Sequence, residues 1–225
     1  MGLPILSHPT FELSVPSTGE KLKYRPFLVR EEKILLLAQA SNEVSDMFNA
    51  IEQVLTNCVV DYDVSRFTTF DTEFVFLNLR ANSVSQTTNI RILDDDTEEY
   101  LEVDVDLNDI ECVIPDTEKI IDVNDEVQIE MRYPTYKDLI SVDQDIMGTL
   151  TKCIDKVYIS GGDVLDIKDF TDEEIDEFVN SIPSDAFNKM QEFFNGMPAV
   201  TLDVDYKVGK KKKTKTLRGI ADFFS

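Results

Sequence analysis

The apolar residues of this 225-residue chain change period three times, and few architectures accommodate that. Up to about residue 85 they recur at spacings of three and four. Phe48, Ile51, Leu55 and Cys58, for example, form one helical stripe. From about Arg91 the period drops to two. In "YLEVDVDLNDIECVI", Leu101, Val103, Val105 and Leu107 alternate with Glu102, Asp104 and Asp106, and "EVQIEMRYP" repeats the pattern through Val127, Ile129 and Met131. Helical spacing returns after Pro134, and strict alternation comes back in "AVTLDVDYKV". Helices and antiparallel strands in separate runs imply an α+β fold.

Local signals place the elements more closely. "KLKYRPFLV" reads as a short strand that Pro26 confines to an edge or an end. "REEKILLLAQ" reads as a helix with acids in its first turn, where the helix dipole favours them. "TTFDTEFVFLNLRANS" has Thr68 or Thr69 as cap and is apolar nearly all round, as suits a helix buried between others. "YKDLISV" and "DQDIMGTLTKCIDKVYI" read as further helices, the second carrying Ile146, Leu150, Cys153 and Val157 on one stripe, and "SGGDV" as a loop. Thr171 and Glu174 form a capping box. Ser184 is read as the cap of "DAFNKMQEFFNGM", with Phe187, Met190, Phe194 and Met197 on one face and Gly196 and Pro198 as its stop.

The expected organisation has four parts. Residues 1–20 form an N-terminal arm, 21–85 and 134–198 a helical core, 86–133 an acidic β insertion, and 199–225 a C-terminal hairpin and tail. The hairpin is expected to pair with the N-terminal strand "KLKYRPF" in one small sheet. With 42% hydrophobic residues and 9% aromatics, the chain can bury a substantial core.

Charge narrows the function. There are 44 acids against 22 bases, a net charge of −22, so phosphate backbones and anionic lipid repel the chain as a whole. Residues 91–130 alone hold 16 Asp and Glu against two bases, Arg91 and Lys119. Against this background stands "YKVGKKKKTKTLRGIADFFS". Val200, Leu202, Val204, Tyr206 and Val208 point one way, and a Gly-started turn then leads into "KTKTLRGI". Lysines sit at the tip because turns are solvated, while Leu217 and Ile220 return to the core and Phe223 and Phe224 anchor the end. The cluster is thus a local positive knob suited to an acidic protein surface. This protein's own acidic sheet is one such surface, which makes a second copy a candidate partner. Phosphate binding is the rival use, but without a reading motif it is non-specific and salt-sensitive.

Catalytic signatures are missing. The single histidine, His8, lies in "SHPT", and no G-x-S-x-G occurs. Cys58, Cys112 and Cys153 are scattered, which fits neither a disulfide framework nor a zinc site and points to a reducing compartment. "DVDLND" starts like a calcium loop from Asp104, but Asp109 and Pro115 stand where Gly and Glu belong. Asp94 to Asp96 read as a solvated turn. "GKKKKTKT" lacks the second glycine of a P-loop. No carboxylate pair stands out for an acidic-site hydrolase, the weakest reading. No catalytic residue, metal or cofactor is assigned. No signal peptide is read at the start, Leu6 breaks the myristoylation pattern after Gly2, and no apolar run reaches the roughly 18 residues that span a bilayer. The chain is expected to be soluble and intracellular, without membrane contact.

Several stretches, in order, resemble the baseplate hub and hub-assembly protein family of T-even-like contractile-tailed bacteriophages. They are "HPTFELSVPSTGEKLKYRPFLVREEKILLLAQ", "IEQVLTNCVVD", "FTTFDTEFVFLNLRANSVS", "TDEEIDEFVNSIPSDAFNKMQEFFNGMPAV" and "TLRGIADFF", covering nearly the whole chain. The resemblance implies a non-enzymatic role in building the central hub of the tail baseplate, as a structural subunit or an assembly factor. It implies other baseplate or hub proteins as partners, and a place in the infected host cytoplasm or the virion tail. No catalytic residues carry over. One departure is Ser85 in "RANSVSQ", where the family pattern has Gly. The candidate partner-binding residues are Pro4, Ile5, Leu6 and Phe11 in the arm, Lys210, Lys211, Lys212 and Lys213 in the knob, and Phe223 and Phe224 at the end.

Overall fold

A computed structural model describes residues 7–41, 43–141 and 146–223, leaving out the side chains of residues 44 and 221. The first strand lies in the stretch assigned to the arm. β1 (Phe11–Ser14) pairs antiparallel with β2 (Lys21–Tyr24), Phe11 opposite Tyr24, through a turn in which Gly19 takes φ +70°. β2 ends before Pro26, as expected. α1 (Val29–Ser41) and α2 (Val44–Cys58) follow, and β3 (Val59–Val60) closes the sheet on the other edge of β2. α3 (Thr69–Ser83) leads to the hairpin β4 (Thr87–Leu93) and β5 (Tyr100–Asp106), and then to β6 (Glu111–Cys112).

The next stretch is a compact unit of its own, Ile114–Pro198. It holds β7 (Ile120–Asp122), β8 (Val127–Met131), α4 (Tyr136–Ser141), α5 (Ile146–Lys152), β9 (Ile154–Ile159), β10 (Asp163–Asp166), α6 (Asp172–Asn180) and α7 (Ser184–Asn195). Its sheet has the order β10-β9-β8-β7, antiparallel throughout. The chain then rejoins the first unit with β11 (Val200–Val208), β12 (Lys211–Arg218) and α8 (Gly219–Asp222). Small antiparallel sheets with helices make the fold α+β, as the change of period implies.

The C-terminal hairpin is real, but its neighbour is not the N-terminal strand. β11 pairs with β12 on one edge and with β6 on the other, Val200 opposite Cys112. Both edges of β2 are already taken by β1 and β3. β1 reaches β2 through a short turn, so that pairing closes a far smaller loop than pairing with the distant C-terminal hairpin. Residues grouped together as one helical core fall into both units, and the acidic stretch 86–133 is divided between them at Val113.

Two further readings are corrected. The helix through Val157 stops at Lys152. Ile154–Ile159 is rich in β-branched residues, and Gly161 and Gly162, at φ +115° and +103°, turn it back into β10, so the loop "SGGDV" is half strand. In α7 the cap position is Pro183 with no side-chain cap, and the buried face is Ala186, Met190 and Phe193. Phe187 and Phe194 are only half-buried.

α3 organises the first unit. It turns Val75, Phe76 and Leu79 into a cluster with Leu22, Tyr24, Ile51, Leu55 and Cys58. It turns Leu77 and Ala81 into a second cluster with Ile90, Val105, Leu107, Leu202, Leu217 and Phe223. A capping box begins it: the Thr68 hydroxyl accepts the Asp71 N–H at 3.2 Å, and the Asp71 carboxylate accepts the Thr68 N–H at 3.0 Å. Asp71, fully buried, also accepts the Ser17 N–H at 2.8 Å and so ties down the β1–β2 turn. The expected box at Thr171 and Glu174 is present as well.

Glu31 works similarly in α1. It is fully buried and accepts the Leu28 N–H at 2.9 Å, while Arg25 meets it at 2.9 Å and Arg30 at 2.5 Å. Burial pushes its carboxyl pKa up, but Arg25, the Leu28 N–H and Arg30 outweigh burial and hold it below the ordinary value. Arg25 also donates to the Asn57 carbonyl at the end of α2.

Replacing Arg25 with Met leaves Glu31 buried with a weakened set of partners. The expected loss is about 3–5 kcal/mol in urea unfolding, and no loss beyond about 0.5 kcal/mol would show that the pair does not hold α1. The β6–β11 pairing places the two ends of the second unit side by side. Deleting 114–198 and joining the flanks with a short Gly-Asn turn is therefore expected to leave a first unit that melts cooperatively, checked by circular dichroism and calorimetry.

Candidate functional site

The hairpin β11–β12 carries the basic cluster, and its register sorts the lysines onto two faces. The loop is Gly209–Lys210, with Gly209 at φ +59° as a two-residue hairpin turn requires. Only Lys210 is in the turn, and Lys211, Lys212 and Lys213 stand on β12. Leu202 and Leu217, Val204 and Lys215, and Tyr206 and Lys213 are cross-strand partners on the inner face. Lys207 and Lys212, Asp205 and Thr214, and Asp203 and Thr216 are partners on the outer face. There Thr214 donates to Asp205 and Thr216 to Asp203, each at 2.6 Å.

Two of the inner lysines, Lys213 and Lys215, are already occupied, whereas Lys211, opposite Val208 at the end of the ladder, is exposed. Lys213 reaches Asp94 at 2.5 Å and Asp96 at 2.8 Å, in the turn between β4 and β5. Lys215 donates to the Leu93 carbonyl at 2.7 Å and lies 3.7 Å from Asp95. Asp94 is fully buried, and its other oxygen accepts the Thr97 N–H and hydroxyl, both at 3.0 Å. The Tyr206 hydroxyl adds a bond at 3.0 Å. Asp95 and Asp96 are exposed, as a solvated turn implies, but Asp94 is the anchor of the whole arrangement. The "DDD" run gives no sign of that. The available signal was Thr97 three residues on from Asp94, together with lysines at every second position of a strand that faces inward.

Lys207, Lys210, Lys211 and Lys212 remain. All four are exposed, and among the described residues no acid forms an ion pair with them. Lys207 lies directly opposite Lys212 in the ladder, an arrangement that works against the hairpin. Four cations without an acidic partner among the described residues thus gather at the tip of the hairpin, in a protein of net charge −22.

The other candidates lie elsewhere. Phe11 is half-buried on β1, its ring stacked on Tyr24 at 5.7 Å between centroids. Phe223 is 4% exposed and packs into the cluster around Leu77 and Leu217. Pro4, Ile5, Leu6 and Phe224 fall outside the described residues. Ser85, at the departure from the family pattern, accepts the Thr87 N–H at 3.2 Å and makes the turn into β4 without a glycine.

Chemistry beyond binding finds little material. His8 is exposed. Burial pushes the Cys58 thiol up to about 11 and the thiols of Cys112 and Cys153 up to about 12, the wrong direction for a nucleophile. Among the described residues no three His, Cys, Asp or Glu side chains gather as metal ligands, and no helix is long and apolar enough to cross a membrane.

The Asp94–Lys213 contact makes stability depend on acid. Lys213 draws the Asp94 carboxyl far below its ordinary value, against burial, which raises it, and with help from Thr97 and Tyr206. A depressed carboxyl stabilises the fold above its unfolded pKa, about 3.9, and that contribution fades as pH falls through the folded value. The urea midpoint of wild type should therefore exceed that of Asp94→Asn by a constant amount from about pH 7 to 5, and the gap should shrink below about pH 4. A gap that does not change with pH would rule out an ionised Asp94.

Comparison with known proteins bears on the whole chain. No curated protein and no solved structure matches it. Residues 8–225 match the model of a family described as T4 bacteriophage base plate protein. With nearly its full length covered, the chain belongs to that T4 bacteriophage base plate protein family.

Proposed function

We propose that this base plate protein acts without catalysis in assembling the central hub of the tail baseplate, and that it engages other hub or baseplate proteins through the lysine tip of the β11–β12 hairpin. The observation that carries the reading is the set of four exposed lysines, Lys207, Lys210, Lys211 and Lys212, without an acidic partner among the described residues. Lys213 and Lys215 serve the fold, whereas Lys207 and Lys212 stand as like charges directly opposite each other. A repulsive cluster kept at the end of a stable hairpin is best explained by an acidic partner surface, for which charge complementarity speeds encounter and sets register. The exposed histidine and the raised thiols support a role without chemistry. The arm residues Pro4, Ile5 and Leu6 belong to the same proposal as apolar contacts.

A second reading, an accessory protein that touches nucleic acid, draws on the same four lysines. It must overcome the field of the remaining acids, and phosphate contacts of this kind weaken steeply with salt.

Substituting Lys207, Lys210, Lys211 and Lys212 with Ser separates the two. Stability should stay within about 0.5 kcal/mol of wild type or rise. In complementation of a phage lacking the protein, the yield of tailed particles should fall about tenfold or more. Purified wild type should bind no duplex DNA at 0.15 M salt. DNA binding lost in the variant, with particle yield unchanged, would replace the hub reading with the nucleic-acid one. Mass spectrometry of purified virions then distinguishes a retained subunit, present at fixed copy number, from an assembly factor, present only in infected cells.

A further inference from the structure

The second unit has a surface of the opposite chemistry. One face of its sheet carries Val127, Ile129, Val157, Ile159 and Leu165, because Val127 pairs with Ile159, and Val157 pairs with both Ile129 and Leu165. The other face is polar, with the Tyr158 hydroxyl and Lys156 meeting Glu130. On the apolar side α6 stands apart from the strands, and a groove of about 280 Å³ remains between them. Its walls are apolar: Ile159, Leu165 and Ile167 from the sheet side, Phe170, Ile175 and Phe178 from the α6 side. Phe170 stays 38% exposed and Ile159 36%, so the floor and mouth are open to water.

The only charged side chain in the lining is Glu174, which is committed to the Thr171 N–H at 2.9 Å. No convergent polar groups are left to orient a small metabolite, and the volume falls short of most such sites, which run to roughly 300–1,000 Å³. Apolar anchors of a protein segment fit it better. What flanks those anchors follows from charge. From Asp163 to Phe178 the chain has eight acids and one base, Lys168, and Asp166 holds that lysine at 2.6 Å. Asp169, Glu173, Glu174, Asp176 and Glu177, on and just before α6, are all exposed.

We propose that this groove binds a basic amphipathic helix of a partner protein, with Leu- or Ile-like anchors seated against Phe170, Ile175 and Phe178 and Lys or Arg side chains meeting the carboxylates of α6. This docking site belongs to the other unit and differs from the lysine tip in chemistry: it takes a partner of opposite charge, and it holds or fails independently of the hub reading.

The test uses the full chain and a fluorescein-labelled helical peptide, LKKLLKLLKKLLKL, read by anisotropy at 0.15 M salt. A peptide of equal charge with every Leu replaced by Ser serves as control. The Leu/Lys peptide should bind, and Phe170→Ser with Ile175→Ser should raise its Kd about tenfold or more. Both side chains are at least partly exposed, and Phe170→Ser alone provides the milder variant if the pair unfolds. Amide shift mapping on wild type should place the largest changes within residues 157–178. The four-lysine variant should bind as wild type does, which keeps this result separate from that of the hairpin. Equal binding of the Ser/Lys control, no effect of Phe170→Ser, or shifts centred outside 157–178 would overturn the proposal in favour of general attraction to an acidic protein. A chain that sediments as a dimer without peptide, and returns to monomer on Phe170→Ser, would overturn it in favour of a second copy in the groove.

Discussion

Helix α3 has to bury both of its faces, and that requirement sets most of the first unit. A helix apolar nearly all round cannot lie on a single sheet with one side wet. It needs cover on two sides, which come from different parts of the chain: β1–β3 and α2 on one side, β4, β5 and the C-terminal hairpin on the other. Asp71 fixes where this helix begins. Because its carboxylate holds both the Thr68 N–H and the Ser17 N–H, the start of the helix and the turn of the first hairpin are one structure. Glu31 does the same for α1, and Asp138, bonded to Arg132 at 2.8 Å and to the Thr135 N–H at 2.8 Å, for α4 in the second unit. In each case an acid three residues into a helix reaches back to the chain before it, and for Glu31 and Asp138 an arginine and a backbone donor hold the carboxyl below its ordinary value against burial.

Much of this was legible in the sequence, and the failures are informative. The C-terminal hairpin, the buried character of α3, a cap at Thr68 or Thr69 and the capping box at Thr171 follow from local rules: period, turn glycine and cap spacing. What could not be read was which strand pairs with which. The edges of β2 are filled by "FELS" and "VV", stretches too short to stand out, and β6 is two residues long. The run to Val157 misled because Ile146, Leu150, Cys153 and Val157 satisfy a helical spacing while Ile154, Val157 and Ile159 also suit a strand. The sheet of the second unit decided between them, since β8 and β10 need β9 as a partner. At the candidate site, the lysine cluster was visible but its division was not. Inward and outward positions on β12 depend on register, and the burial of Asp94 depends on Lys213 and Tyr206, more than 110 positions away.

That division changes what the net charge means. A chain of −22 with a lysine run invites the idea that the run neutralises its surroundings. Lys213 and Lys215 do, and in doing so they clamp the β4–β5 turn onto the hairpin. Once they are assigned to the fold, the four remaining lysines can no longer be explained as counter-ions. Lys207 opposite Lys212 is a local cost without a local return, and such costs are the ones that function most readily accounts for.

The insertion gives these surfaces their independence. Because β6 and β11 are hydrogen-bonded neighbours, the chain leaves the first unit after Val113 and returns to it at an adjacent position, so the second unit needs nothing from the register of the first. A basic tip and a groove walled by an acidic helix, built into one core, would compromise each other, since every change in charge would alter both. Built into separate compact units, each keeps its own counter-ions: Asp94 and Asp96 for Lys213, Asp166 for Lys168. The sign of each exposed surface is then free to match its own partner. For the assembly role proposed above, such a division lets one contact be strengthened without weakening the other.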